Sequence, residues 1–187
     1  MQDQAAPIQK YGTLRALPIA LDEKARRSSV DLLNQILADT ITLRDLYKKH
    51  HWQVVGHTFY QLHLLFDKHY GEQAEMVDMI AERIQMLGGV SIAMAADVAE
   101  LTRIPRPPKD REPVPVQISQ LLRAHEIILR EVREAAKTAD DNDDAGTNDL
   151  LVSNLIRTNE MQVWFVSEHL VEQPVQEHDP EFAEALG

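Results

Sequence analysis

Four side chains of metal-ligating type, His63, Asp67, Asp78 and Glu82, fall within one short stretch of this chain. Imidazole combined with carboxylate suits iron, zinc and manganese, whereas carboxylate alone leans toward magnesium or calcium. The surrounding apolar residues (Leu62, Leu65, Phe66, Met76, Val77, Ile80, Ile84) recur at helical spacing, with no proline and one glycine between them. On a helix, His63 and Asp67 share a face, and so do Asp78 and Glu82. Asp67 and Asp78 are close to three whole turns apart, so all four point the same way, but the two pairs are separated by roughly 16 Å along the axis. One chain cannot wrap one ion with both pairs.

The four positions are symmetric about residues 72 and 73. An antiparallel copy of this helix, related by a two-fold axis there, would set Asp67 opposite Asp78 and His63 opposite Glu82. Gly71 and Ala74 lie at the crossing and are small enough for two backbones to approach. A self-complementary patch of this kind is what an isologous dimer needs. The expectation is two identical metal sites, each shared between two subunits. The bland alternative is a run of solvated charges, which the small residues on the same face weaken. His51, beside Trp52, is a fifth candidate, because a hairpin through Gly56 folds it back toward His63. The remaining histidines carry structural readings: His50 and His57 exposed, His69 off the ligand face, His125 and His178 without partners at useful spacing, and His169 in a core or surface role.

Four long helical patterns must position these residues. The first spans about 28–54, with Ser28, Ser29 and Asp31 as its start signal and Gly56 beyond its end. The second spans 58–87 and stops at Gly88-Gly89. The third lies within 116–138, and the fourth runs from 147 to just before Pro174. Almost thirty residues separate the second and third, with a short helix at 95–101 and a proline-rich run at 104–115. Bundle loops are usually about 2–8 residues, so this length fits a crossover between two parallel helices. The expected layout is an N-terminal arm (1–27), a bundle domain (28–173) and a C-terminal tail (174–187), with arm and tail loosely ordered.

The chain has 187 residues, enough for one domain with a substantial core. It contains no cysteine, which excludes disulfides and thiolate metal sites. No apolar run reaches the roughly 20 residues of a membrane span, and the first ten residues lack a signal-peptide core. These features predict a cytoplasmic protein. The formal charge of −11 disfavours broad phosphate binding and favours cations.

Read together, His51-Trp52-x-Val54-x-Gly56, Phe59, Leu62-His63, Phe66-Asp67, Asp78-x-Ile80-Ala81-Glu82-Arg83-Ile84 and Leu87-Gly88-Gly89 resemble the Dps family, the miniferritins named as DNA-binding proteins from starved cells. The match is dense over about forty residues, and the helix plan extends it to 28–173. The resemblance implies an all-α, ferritin-like four-helix bundle with a short extra helix in the long loop between helices two and three, assembled as a hollow dodecamer. It implies ferroxidase centres at two-fold interfaces, with His51, His63 and Asp67 from one subunit, Asp78 and Glu82 from its partner, and Trp52 packed beside them. Ferrous iron would be oxidised there, preferentially by hydrogen peroxide over oxygen, and stored as ferric mineral, with protection against oxidative damage. Zinc would compete for the same ligands. Acidic residues near the fourth helix would line an iron-entry pore, and here Asp140, Asp143, Asp144 and Asp149 fit that place.

DNA binding does not follow from the resemblance. Ahead of Asp22 the arm offers only Lys10 and Arg15, and the tail from Glu172 to Glu184 is acidic, which predicts weak or absent binding at physiological salt and makes nucleoid association a secondary location. Two rival readings are a ferritin with its centre inside one bundle and a non-enzymatic scaffold shell. The first requires Glu-x-x-His pairs, and the chain has none. The second leaves the ligand set unexplained.

Overall fold

The computed structural model describes residues 6–171; the C-terminal tail and His178 lie outside them. The chain forms α1 (Glu23–Gln53), α2 (Phe59–Met86), α3 (Ala95–Leu101) and α4 (Val114–Asp141). A fourth rod follows. It begins as α5 (Ala145–Asp149), continues as a π-helical segment (Leu150–Ile156) and α6 (Arg157–Ser167), and closes with a 3-10 turn (Glu168–Leu170). Among the described residues there is no strand.

Cross-helix contacts fix the directions. His63 and His69 on α2 meet His51 and Tyr47 on α1, so these helices are antiparallel. Lys49, Tyr47 and Ser29 meet Glu112, His125 and Asp144 in that order, so α4 is antiparallel to α1 as well. Thus α2 and α4 run parallel, and the connection between them must cross the length of the bundle. The core comprises Leu33, Leu37, Leu43, Leu62, Phe66, Ile80, Ile84, Ile118, Leu121, Ile128, Val132, Leu151 and Leu155, all essentially solvent-free. Each such side chain contributes about 1.5–3 kcal/mol through its removal from water.

Helix α1 starts at Glu23, about one and a half turns sooner than the serine pair suggested. Asp22 is the cap: its carboxylate accepts from Lys24 N at 2.7 Å. Ser29 is instead buried, and its hydroxyl donates to Asp144. At the other end of α2, Gly88 has φ +84°, its N–H donates to Gln85 O, and Gly89 N–H donates to Ile84 O. This paired arrangement closes the helix with a residue in the left-handed region.

Within the described residues, the N-terminal arm is tied down rather than loose. Arg15 N and Gln9 Nε2 both donate to Gly88 O, at 2.8 and 2.9 Å, and Arg26 donates to the carbonyls of Arg15 and Leu87. A Cβ on Gly88 would stand 2.4 Å from Arg15 O, so the close approach of arm and helix end requires glycine there.

Candidate metal centre

The α1–α2 hairpin brings His51 and His63 into parallel contact, with ring centroids 3.7 Å apart and planes inclined by 20°. Each ring is held by the other residue's backbone. His51 Nδ1 donates to His63 O, and His63 Nδ1 donates to His51 O, both at 2.8 Å. A carbonyl oxygen only accepts, so the proton of each neutral ring sits on Nδ1. Each Nε2 then carries an available lone pair. Such a backbone hydrogen bond selects the tautomer and orientation that a metal-ligating imidazole requires.

Asp67 lies one turn beyond His63, about half exposed, with Oδ1 4.0 Å from His51 Nε2. Its carboxylate is engaged by the Lys48 ammonium. The hydrogen bond from Lys48 is the main cause that holds the Asp67 carboxyl below its ordinary range. Lys48 is the residue that sequence reasoning missed. It precedes His51 by three on α1, so the same hairpin that delivers His51 also delivers a cation to Asp67.

Asp78 and Glu82 are exposed farther along α2. Between the two pairs, Gly71 is exposed, and nothing lies within 4 Å of where its Cβ would be. Among the described residues, no three histidine, aspartate or glutamate side chains of one chain converge to hold a metal ion. The structure therefore unites His51, His63 and Asp67 loosely in one chain and leaves Asp78 and Glu82 apart from them. Trp52 is 68 % exposed, beside exposed Val55, Phe59 and Tyr60.

The acidic loop divides. Asp140, Asp143 and Asp149 face solvent, Asp149 accepting from Ser153 Oγ. Asp144 does not line any opening; it is 1 % exposed and faces the bundle. Its Oδ2 accepts from Ser29 Oγ at 2.7 Å, and its Oδ1 accepts from Arg83 at 2.6 Å and from Thr147 N at 3.1 Å. Burial opposes its charge, yet the hydrogen bonds from Thr147 and Ser29 and the Arg83 guanidinium outweigh it and hold the carboxyl below its ordinary value. Asp144 is the cap of the fourth rod, not a pore residue.

One histidine departs from its expected place. His50 is fully buried rather than exposed, and burial pushes its pKa down to about 4. His69 and His125 are also buried, lowered by desolvation to about 4 and about 3. His57 and His169 are exposed.

Residues 30–174 match the family model of the ferritin-like domain. The structure superimposes on DpsC from Streptomyces coelicolor with a TM-score of 0.90 and 53 % identity, covering 92 % of this chain and all of that one. A nutrient stress-induced DNA-binding protein of Nostoc is 32 % identical over 160 residues, 86 % of this chain and 87 % of its own. A DNA protection during starvation protein of Bacillus anthracis is 31 % identical over 123 residues, 66 % of this chain and 84 % of its own. With its helix order, its parallel α2 and α4 joined by a helical crossover, and these matches, the chain belongs to the Dps family of ferritin-like proteins.

Proposed function

We propose that this protein is a ferroxidase that stores iron and protects against oxidative damage, with its catalytic centres assembled across a two-fold dimer of a dodecameric, cytoplasmic shell. Membership in the family supports iron storage and protection. The observation that carries the finer reading is the His51–His63 pair, whose Nδ1 protons are spent on reciprocal backbone bonds while two Nε2 lone pairs remain beside Asp67. Half a ligand set is thereby built and oriented, and the other half, Asp78 and Glu82, stands on the same helix at a spacing only a second copy can close.

In this reading, ferrous ions bind as substrate between His51, His63 and Asp67 of one subunit and Asp78 and Glu82 of its partner. The carboxylates neutralise the incoming charge and favour the ferric product. The imidazoles, held in a fixed tautomer, set the geometry. Asp67 gives up Lys48 as iron arrives. Hydrogen peroxide takes two electrons from two ferrous ions, which avoids releasing a hydroxyl radical. Asp140, Asp143 and Asp149 remain candidates for drawing cations toward the interior. Zinc competes for the same donors. DNA binding at physiological salt is weak or absent, since the chain is strongly acidic.

Stopped-flow ferric absorbance after mixing with peroxide or with oxygen tests this. The reading predicts faster oxidation by peroxide, and a loss of at least tenfold in rate for the His51→Ala, Asp78→Ala double variant. Equal rates in variant and wild type would refute it.

A further inference from the structure

The bundle encloses a chain of hydrogen-bonded polar groups that the ferroxidase reading does not use. Tyr47 is completely buried, and its hydroxyl lies 2.6 Å from His125 Nε2. His125 Nδ1 lies 2.8 Å from Asn159 Oδ1. Asn159 donates its own Nδ2 to Leu155 O and receives Gln73 at Oδ1, so its oxygen is the acceptor. His125 therefore carries its proton on Nδ1, and Nε2 is bare. The Tyr47 hydroxyl must be the donor to it. His69 Nδ1, 3.2 Å away, then donates to the phenolic oxygen. Every role in the sequence His69 to Tyr47 to His125 to Asn159 is fixed.

The same tyrosine adjoins the candidate centre. Lys48, next in sequence, holds Asp67. The Tyr47 ring lies 6.0 Å from that of Phe66, the neighbour of Asp67. His51 follows one turn along α1, about 6 Å of axial rise. A phenol that donates a short hydrogen bond to a bare imidazole nitrogen is built to lose an electron and its proton together. Burial raises the phenol's pKa and lowers that of the imidazole, so the proton stays on oxygen until an electron leaves.

We propose that Tyr47 and His125 form a one-electron reserve for centres that hold a single ferrous ion. The inference rests on the ferroxidase reading above. Two ferrous ions satisfy peroxide; one supplies a single electron, and ferrous ion plus hydrogen peroxide then gives ferric ion, hydroxide and a hydroxyl radical. Tyr47 supplies the missing electron, converting that radical to a second hydroxide. The phenolic O–H bond breaks, its proton passes to His125 Nε2, and the products are one ferric ion, two hydroxides, a tyrosyl radical and an imidazolium. The next ferrous ion returns an electron, the proton moves back to the phenolic oxygen, and the pair is restored. His125 acts here as a positioning residue and proton acceptor.

Freeze-quench EPR on the assembled protein, loaded with less than one ferrous ion per centre and mixed with hydrogen peroxide, tests the pair. A tyrosyl signal is expected in wild type, lost in Tyr47→Phe and at least several-fold weaker in His125→Gln, with spin-trapped hydroxyl radical rising several-fold in both. Ferric absorbance without a tyrosyl signal in wild type, or a signal that survives Tyr47→Phe, overturns this inference while leaving the ferroxidase reading intact. Loss of ferric product in wild type instead removes the reading itself. Should Tyr47→Phe fail to assemble, His125→Gln decides alone, and an undiminished signal there refutes the pair.

Discussion

Asp67 and Asp144 each sit beside a cation, and their surroundings give them opposite uses. Asp67 is half exposed, so its contact with Lys48 is readily exchanged for another cation. Asp144 is enclosed, with Arg83, Ser29 and Thr147 all committed to it, so it serves the fold. Removing its carboxylate strands a partly buried guanidinium and a buried hydroxyl. Asp144→Ala is expected to lower unfolding stability by about 2–4 kcal/mol in urea titrations, while Asp149→Ala, at the surface, should cost little. The ligand residues were legible in the sequence because their types and i, i+4 spacing are local facts. Lys48 was not, because its partner lies across a hairpin. Nor were His69 and His125, although each lies on a buried stripe: His69 between Phe66 and Gln73, His125 between Leu121 and Ile128. Their partner is a tyrosine on another helix, which only packing discloses.

At the scale of elements, the long α2–α4 connection is held by a pair of acids. Asp39 accepts from Thr102 Oγ1, Arg103 N and Ile104 N, which pins the chain just past α3. Glu131 on α4 faces the same place, with Arg103 on one oxygen. Burial, then the neighbouring Asp39 charge, pushes Glu131 up to about 7. The folded chain therefore holds a proton that the unfolded chain has released between about pH 4.5 and 7, and stability must fall as pH rises through that window. Glu131→Gln removes the dependence. It should match wild type near pH 5 and exceed it by about 1–2 kcal/mol at pH 8 in denaturant melts; a larger deficit at pH 8 than at pH 5 would contradict this. The helices themselves were readable from apolar periodicity, as was the 95–101 helix, whose bounds the structure reproduces. The start of α1 was misplaced because two cap-like signals compete and only burial of Ser29 decides between them. The π-helical stretch at Leu150–Ile156 left no mark in the apolar pattern, since Leu151 and Leu155 keep α-like spacing.

For the whole molecule, three fully buried imidazoles set its behaviour in acid. His50, His69 and His125 stay neutral in the fold to about pH 4 or below, whereas in the unfolded chain they take up protons near 6.5. Their folded pKa values are depressed, so their contribution is present above 6.5 and is lost as pH falls. Subunit stability should decline steeply between about pH 6 and 4, by up to roughly 4 kcal/mol per pH unit if all three act together. A flat stability profile over that range would show that these rings open to solvent.

The central claim is that each metal centre belongs to two subunits, and complementation measures it most directly. One variant carries His51→Ala, His63→Ala and Asp67→Ala; the other carries Asp78→Ala and Glu82→Ala. Each alone should lack ferroxidase activity. Unfolded together in equal amounts and reassembled, half the dimers are mixed, and each mixed dimer has one complete centre, so about a quarter of wild-type activity should return. Recovery near that value is the result the shared centre predicts. No recovery from the mixture, with both variants assembled, would contradict it and return the site to a single chain.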